Sequence, residues 1–143
     1  MLRGLATVTF YAADHEGAKR WYADLFGIAP YFDQPGYFEF RIGDYADEFG
    51  VIDARYAPPG SQDRPGGAVV FWHVDDVEAA VARLVELGAA VWEPATVRGE
   101  GWLTASVLDP FGNILGVMTN PHYLRVLDDI RAAGWVGPKE DVD

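Results

Sequence analysis

The stretch from Thr7 to Gly27 can be laid over the stretch from Val69 to Gly88 at an offset of about 62 residues, slipping by one near its end. Val8-Thr9-Phe10-Tyr11-Ala12-Ala13-Asp14 falls on Val70-Phe71-Trp72-His73-Val74-Asp75-Asp76. In each copy an amphipathic helix follows. Ala18, Trp21, Tyr22 and Leu25 keep helical spacing before Gly27, and Val77, Ala80, Val81, Leu84 and Leu87 keep it before Gly88. Asp14 and Asp76 stand where an N-cap accepts backbone N–H bonds, so both carboxylates read as caps rather than catalysts. The chain is thus expected to fold as two copies of one unit.

Turn chemistry supplies the rest of each copy. Ala29 to Phe32 and Tyr37 to Ile42 read as strands joined through Asp33-Gln34-Pro35-Gly36, with Phe49 to Ala54 as a third. The second copy repeats the pattern with Ala68 to Val74, Ala89 to Glu93, Leu103 to Leu108 and Ile114 to Met118. This divides the chain into a βαβββ module over 1–57, a Pro- and Gly-rich linker over 58–67 and a second module over 68–120. Leu124, Val126, Leu127 and Ile130 place a helix from Tyr123 to Ala133 in the remaining 121–143, stopped at Gly134, with Pro138 to Asp143 expected to fray. The fold class is α+β.

Composition narrows the function classes. With 143 residues and 50% hydrophobic content the chain can bury one core or two half-cores sharing an interface. A formal charge of −11 opposes binding to nucleic acid through phosphate neutralisation, and it can steer cationic ligands or simply keep a small protein soluble. The absence of Cys removes disulfides, thiolate metal sites and thiol catalysis. No apolar run approaches the roughly 18 residues of a membrane span, so no membrane partner is expected, and a cytoplasmic location is the default. No phosphate-binding Gly loop or nucleophile elbow is present.

The turn Asp109-Pro110-Phe111-Gly112-Asn113 before the apolar run Ile114 to Met118, the motif Tyr22-Ala23-Asp24-Leu25-Phe26-Gly27 and the repeated strand-Asp-helix opening lie in register on the repeat. Together they resemble the vicinal oxygen chelate superfamily, the glyoxalase, bleomycin-resistance and dioxygenase group, over roughly residues 5 to 120. The resemblance implies tandem βαβββ modules whose mixed sheets curl around a shared cavity, usually within a homodimer. It also implies four metal-ligand positions. They fall on Thr7 and Val69 on the first strands, on Gly116 on the last strand, and on Gly50 or Ile52 in the first module, with Asp53 the nearest oxygen donor. Val69 and Gly116 carry no donor atom, and a divalent cation needs several convergent oxygen or imidazole ligands, so no metal and no other cofactor are expected.

Strand alternation then selects the cavity face. Thr7, Thr9 and Tyr11 share one face of the first strand, and Val69, Phe71 and His73 share that of its counterpart, while Val8, Phe10, Ala12, Val70, Trp72 and Val74 turn to the helices. His73 is the leading polar candidate, a ligand contact or a base with Tyr11 as partner, against the competing reading of a histidine satisfied by a neighbouring backbone or tyrosine group. His15 and His122 read as surface or turn residues. Tyr37, Trp92 and Trp102 are aromatic candidates for the wall and rim, the last two flanking a loop from Pro94 to Gly101 suited to a clamp over a flat ligand or to a dimer contact. Glu39 and Glu93 are strand carboxylates able to meet a cation. The expected function is sequestration of an aromatic or cationic small molecule without metal. The alternative is a lyase, isomerase or dioxygenase built around His73 and Tyr11.

Overall fold

In the first copy, β1 (Thr7–Ala12) leads through Asp14 into α1 (His15–Phe26), followed by β2 (Phe32–Gln34), β3 (Tyr37–Ile42) and β4 (Asp47–Asp53). The second copy runs β5 (Val70–His73), α2 (Val77–Glu86), β6 (Ala90–Gly99), β7 (Trp102–Leu108) and β8 (Ile114–Thr119), and α3 (Pro121–Ala132) ends the fold. This computed structural model describes residue 3 and residues 5–137, so the expected fraying of Pro138 to Asp143 lies outside the described residues. Each copy forms a four-stranded mixed sheet, ordered β1-β4-β3-β2 and β5-β8-β7-β6. The first strand pairs parallel to the last, and the remaining pairings are antiparallel. The fold is α+β, and neither sheet closes on itself.

Both helix starts follow the sequence reading. Asp14 accepts from Gly17 N and Asp76 from Ala79 N, each satisfying an N–H that the first turn leaves free. Gly27 ends α1 at φ +70°, where a side chain would strain the backbone.

Strands β4 and β5 shift by one or two residues at their ends, and three boundaries differ in a way that changes the reading. The strand expected at Ala29 begins only at Phe32, because a two-residue Pro35-Gly36 turn, with Gly36 at φ +87°, pairs Gln34 with Tyr37. The segment from Pro94 to Gly99 is not a loop: β6 runs on to Gly99 as an edge strand, its register broken by irregularities that accommodate Pro94. Helix α3 starts at Pro121 rather than Tyr123, with Asn120 as its cap, accepting from the N–H groups of His122 and Tyr123.

The core is one continuous cluster spanning both copies. Tyr22 of α1 and Phe38, Phe40 and Phe49 of the first sheet are fully buried. Trp72, from β5, reaches across to meet Phe49 and Phe10 edge-on at 5.6 and 6.3 Å between ring centroids. The Asp109–Asn113 turn fastens the copies together. Asp109, 2% exposed, accepts from Phe111 N, Asn113 N and the buried Tyr22 hydroxyl, while Asn113 Nδ2 donates to the Tyr11 carbonyl. Trp21 Nε1 adds a 2.7 Å bond to the Leu87 carbonyl.

Candidate functional site

Register makes the two sheets directly comparable. In the first, Thr9, Gly50, Glu39 and Phe32 form one row across β1, β4, β3 and β2. In the second, Phe71, Gly116, Ser106 and Glu93 form the matching row across β5, β8, β7 and β6. Gly50 and Gly116 are therefore equivalent positions, each on its module's closing strand. Both are covered by a ring. A Cβ on Gly116 would lie 2.5 Å from Phe71 Cδ1, and one on Gly50 would lie 2.6 Å from Tyr37 Cε2.

Around Gly50 the first sheet carries a phenol–carboxylate cluster. Tyr31 and Tyr37 both donate to the Glu39 carboxylate, and Thr7 Oγ1 donates at 3.4 Å. Burial works to raise the Glu39 pKa, but the three hydroxyl donors outweigh it and hold the group below its ordinary 4.5. The same bond to Glu39, with burial, pushes Tyr31 up to about 12. Burial, with the bond to Glu39, lifts Tyr37 further.

Between the modules lies a cleft of about 280 Å³ with residues of both β1 and β5 in its wall. Thr7, Phe71, Trp72 and His73 line it, with Asp44, Asp47 and Glu48 on the first module and Asn120 and Tyr123 at the start of α3; no Lys or Arg is among its lining residues. Asp47, exposed at the start of β4, is raised by partial desolvation alone. Asp44 accepts from the Tyr123 hydroxyl at 2.8 Å and pairs with Arg131 at 3.3 Å, while Glu48 meets Arg41 at 3.5 Å. The His73 ring stacks on Tyr123 with 4.6 Å between centroids and 14° between planes. Its Nδ1 accepts from the Asn120 N–H at 3.2 Å, so the proton of the neutral ring sits on Nε2. That nitrogen is buried with no hydrogen-bond partner, and Asp75 Oδ1 stands 3.8 Å away.

The candidates are not gathered in one place. Thr7, Phe71 and His73 share this cleft, whereas Thr9 and Tyr11 line a second one beneath the linker, with Gly60, Ser61 and Arg64. His73 and Tyr11 thus line different clefts. Trp92, 52% exposed on the edge strand β6, and Trp102 at the start of β7 line neither. The expected clamp between them is a paired strand. Glu93 is held by Arg98 at 2.8 Å. His15, read as a surface residue, is buried and hydrogen-bonds through Nε2 to the Val51 carbonyl at 3.0 Å. Tyr31, one of the aromatics that the sequence places at the cavity wall, stands on Glu39. Asp47 and Tyr123 carry no functional motif in the sequence; the signal for Tyr123 is the Asn120-Pro121 cap and N1 pair that starts its helix.

The chain matches the Glyoxalase/Bleomycin resistance protein/Dioxygenase superfamily over residues 4–117. It belongs to that superfamily. It is 32% identical over 116 residues to proteins of Mycobacterium bovis and Mycobacterium tuberculosis provisionally designated glyoxylase CFP32. That match takes in 77% of this chain but only 43% of theirs, so the chain spans less than half the length of these relatives. A glyoxalase-related enzyme from Fulvimarina pelagi superposes with a TM-score of 0.67 at 26% identity, covering 84% of this chain and 90% of that one. A lactoylglutathione lyase from Agrobacterium tumefaciens superposes with a TM-score of 0.63 over 82% of this chain and 94% of its own, and at 21% identity it speaks to the fold alone.

Against the superfamily's four ligand positions the residues present do not fit a divalent ion. Gly50, not Ile52 or Asp53, is the equivalent of Gly116; Asp53 instead caps the short helical turn Ala54–Tyr56, bonded to the Arg55 N–H and guanidinium. Thr7, Gly50, Val69 and Gly116 offer a single hydroxyl among them, and Tyr37 and Phe71 fill the space over both glycines. Among the described residues no three His, Cys, Asp or Glu side chains are grouped to hold a metal.

Proposed function

We propose that this superfamily member is a small-molecule binding protein that works without a metal, holding an aromatic or cationic ligand in the manner of a drug-sequestering protein. The observation that carries this reading is the pair of covered glycines: a site that gives its metal-ligand positions to aromatic rings has no Lewis acid to offer a substrate. The cleft between the modules supports it, with carboxylates and rings and no cationic side chain on its wall. A homodimer accompanies the proposal, supported by the exposed Val91, Trp92 and Val97 along the edge strand β6, and sedimentation equilibrium tests it.

The test of function is a thermal-shift screen of chelator-treated protein against divalent cations and against flat aromatic and cationic compounds. Stabilisation by an organic compound in the presence of chelator is expected. Stabilisation by a metal alone overturns the reading.

One observation favours the enzyme alternative, the buried and unpartnered Nε2–H of His73. Since Tyr11 lines another cleft, an acid–base role for His73 needs a different partner, of which Asp75 is the nearest carboxylate. Turnover of any substrate that survives His73→Ala removes this alternative.

A further inference from the structure

Helix α3 lies beyond the residues that match the superfamily, which end at 117, yet it contributes Tyr123 to the cleft wall. Its first turn is unusually well fixed. Asn120 caps it through Oδ1 and gives its own N–H to His73 Nδ1, Pro121 occupies the first turn, and the Tyr123 hydroxyl and Arg131 both reach Asp44 on the first module. Tyr45 adds an edge-on ring contact to Tyr123 at 5.2 Å. These bonds hold the Tyr123 and His73 rings as one stacked platform on the cleft wall. The first module contributes Asp47 and Glu48 to the same cleft, and of the three acidic groups there only Asp47 has no ion pair among the described residues.

We propose that α3 is the specificity element of this site, with Tyr123 the specificity-determining residue, and that the cleft takes a flat heteroaromatic cation of the quinolinium class in preference to a globular aliphatic cation. This rests on the ligand-binding reading above. The carboxylates select charge, which both kinds of cation satisfy; the ring platform selects flatness, because offset stacking rewards a planar partner beyond the area it buries. His73 is a positioning residue here, acting through its stack on Tyr123 and its bond to Asn120.

The experiment compares two fixed cations, 1-methylquinolinium and N-methylquinuclidinium, by calorimetric titration of wild type, Tyr123→Phe and Tyr123→Leu. Wild type is expected to prefer the flat cation. Tyr123→Phe keeps that preference, since the ring remains, whereas Tyr123→Leu lowers the ratio of the two affinities by roughly fivefold, as the loss of one aromatic pair implies. A merely structural role for Tyr123 would weaken both cations alike, and that result overturns the proposal while leaving the ligand-binding reading intact. If wild type binds neither cation, this proposal falls, while the ligand-binding reading stands or falls by the thermal-shift screen. Should Tyr123→Leu not fold, Tyr123→Trp carries the test with the sign reversed: the larger ring raises the preference, and an unchanged ratio overturns the proposal.

Discussion

Replacing Gly116 by Ala adds one methyl group at the most crowded point of the second sheet. The new Cβ would stand 2.5 Å from Phe71 Cδ1 and 2.8 Å from both Cε1 and Cγ. Those atoms belong to the body of a rigid ring close to its own backbone, so no small end-group rotation relieves the overlap. Gly116 carries no positive φ, so the cost is steric rather than conformational. Overpacking of this kind costs about 1–3 kcal/mol. Phe71 is 40% exposed, so Phe71→Ala alone forfeits only part of a buried phenylalanine's contribution, about 1–2 kcal/mol. If the two residues were independent, the double variant would lose the sum. In the geometry here the clash vanishes with the ring, so the double variant should cost little more than Phe71→Ala, leaving a coupling of about 1–3 kcal/mol in its favour. Urea denaturation of the four proteins measures that coupling, and a thermal melt of Gly116→Ala should fall by about 3 °C per kcal/mol for a domain of this size. Additive losses, or a neutral Gly116→Ala, would refute the argument that Phe71 occupies the place of the superfamily's ligand.

Four further outcomes follow from the same geometry. Tyr37→Phe removes one donor from the buried Glu39 and should cost about 1–2 kcal/mol at pH 7. Because the folded Glu39 pKa lies below its ordinary 4.5, the stability it confers is present above that value and lost as pH falls through the folded one, so the difference between Tyr37→Phe and wild type in urea melts should shrink in acid. Tyr22→Phe leaves the buried Asp109 without its hydroxyl donor while its backbone donors remain, and should lower stability by about 1–3 kcal/mol with the fold retained by circular dichroism. Asp47, lifted above 3.8 by partial desolvation, should lose its charge early on acidification, so affinity for 1-methylquinolinium should weaken at a higher pH in wild type than an ordinary aspartate allows, and Asp47→Asn should flatten that part of the profile.

The elements legible in the sequence were those with local causes. Caps at Asp14 and Asp76 and helical spacing after them located α1 and α2, because N-cap bonds and apolar stripes are written in neighbouring residues. Alternation along β1 likewise marks its buried face, with Phe10 and Ala12 turned into the core. Pro94 and the glycines at 99 and 101 carry loop chemistry that ends β6 early in the sequence; only pairing with β7, a tertiary event, shows that a bulged edge strand tolerates them. The ligand-position glycine of the first module could not be chosen over Ile52 or Asp53, since register depends on which residue of β1 meets which residue of β4. The separation of Tyr11 from His73 into two clefts depends on how the two sheets are placed, which no periodicity within a strand encodes.

The two half-sites reached the same closure by different routes. Over Gly50 the covering ring comes from β3, as Tyr37, and it brings a hydroxyl that satisfies Glu39; over Gly116 it comes from β5, as Phe71, and it brings no polar atom. If the rings served only to fill vacancies left by lost ligands, an apolar ring in each module would suffice. The first module instead surrounds one carboxylate with Tyr31, Tyr37 and Thr7, all donating, which keeps the buried Glu39 ionised while its hydrogen-bonding capacity is occupied from within. Such a carboxylate is a weak base and a poor competitor for outside ligands. The carboxylate left available is Asp47 in the cleft, close to the element that the superfamily match does not include. On the proposed reading, ligand binding belongs to the seam between the modules rather than to the sheet faces, so Gly50→Ala should destabilise the protein through Tyr37 while leaving cation binding at that seam unchanged in titration calorimetry.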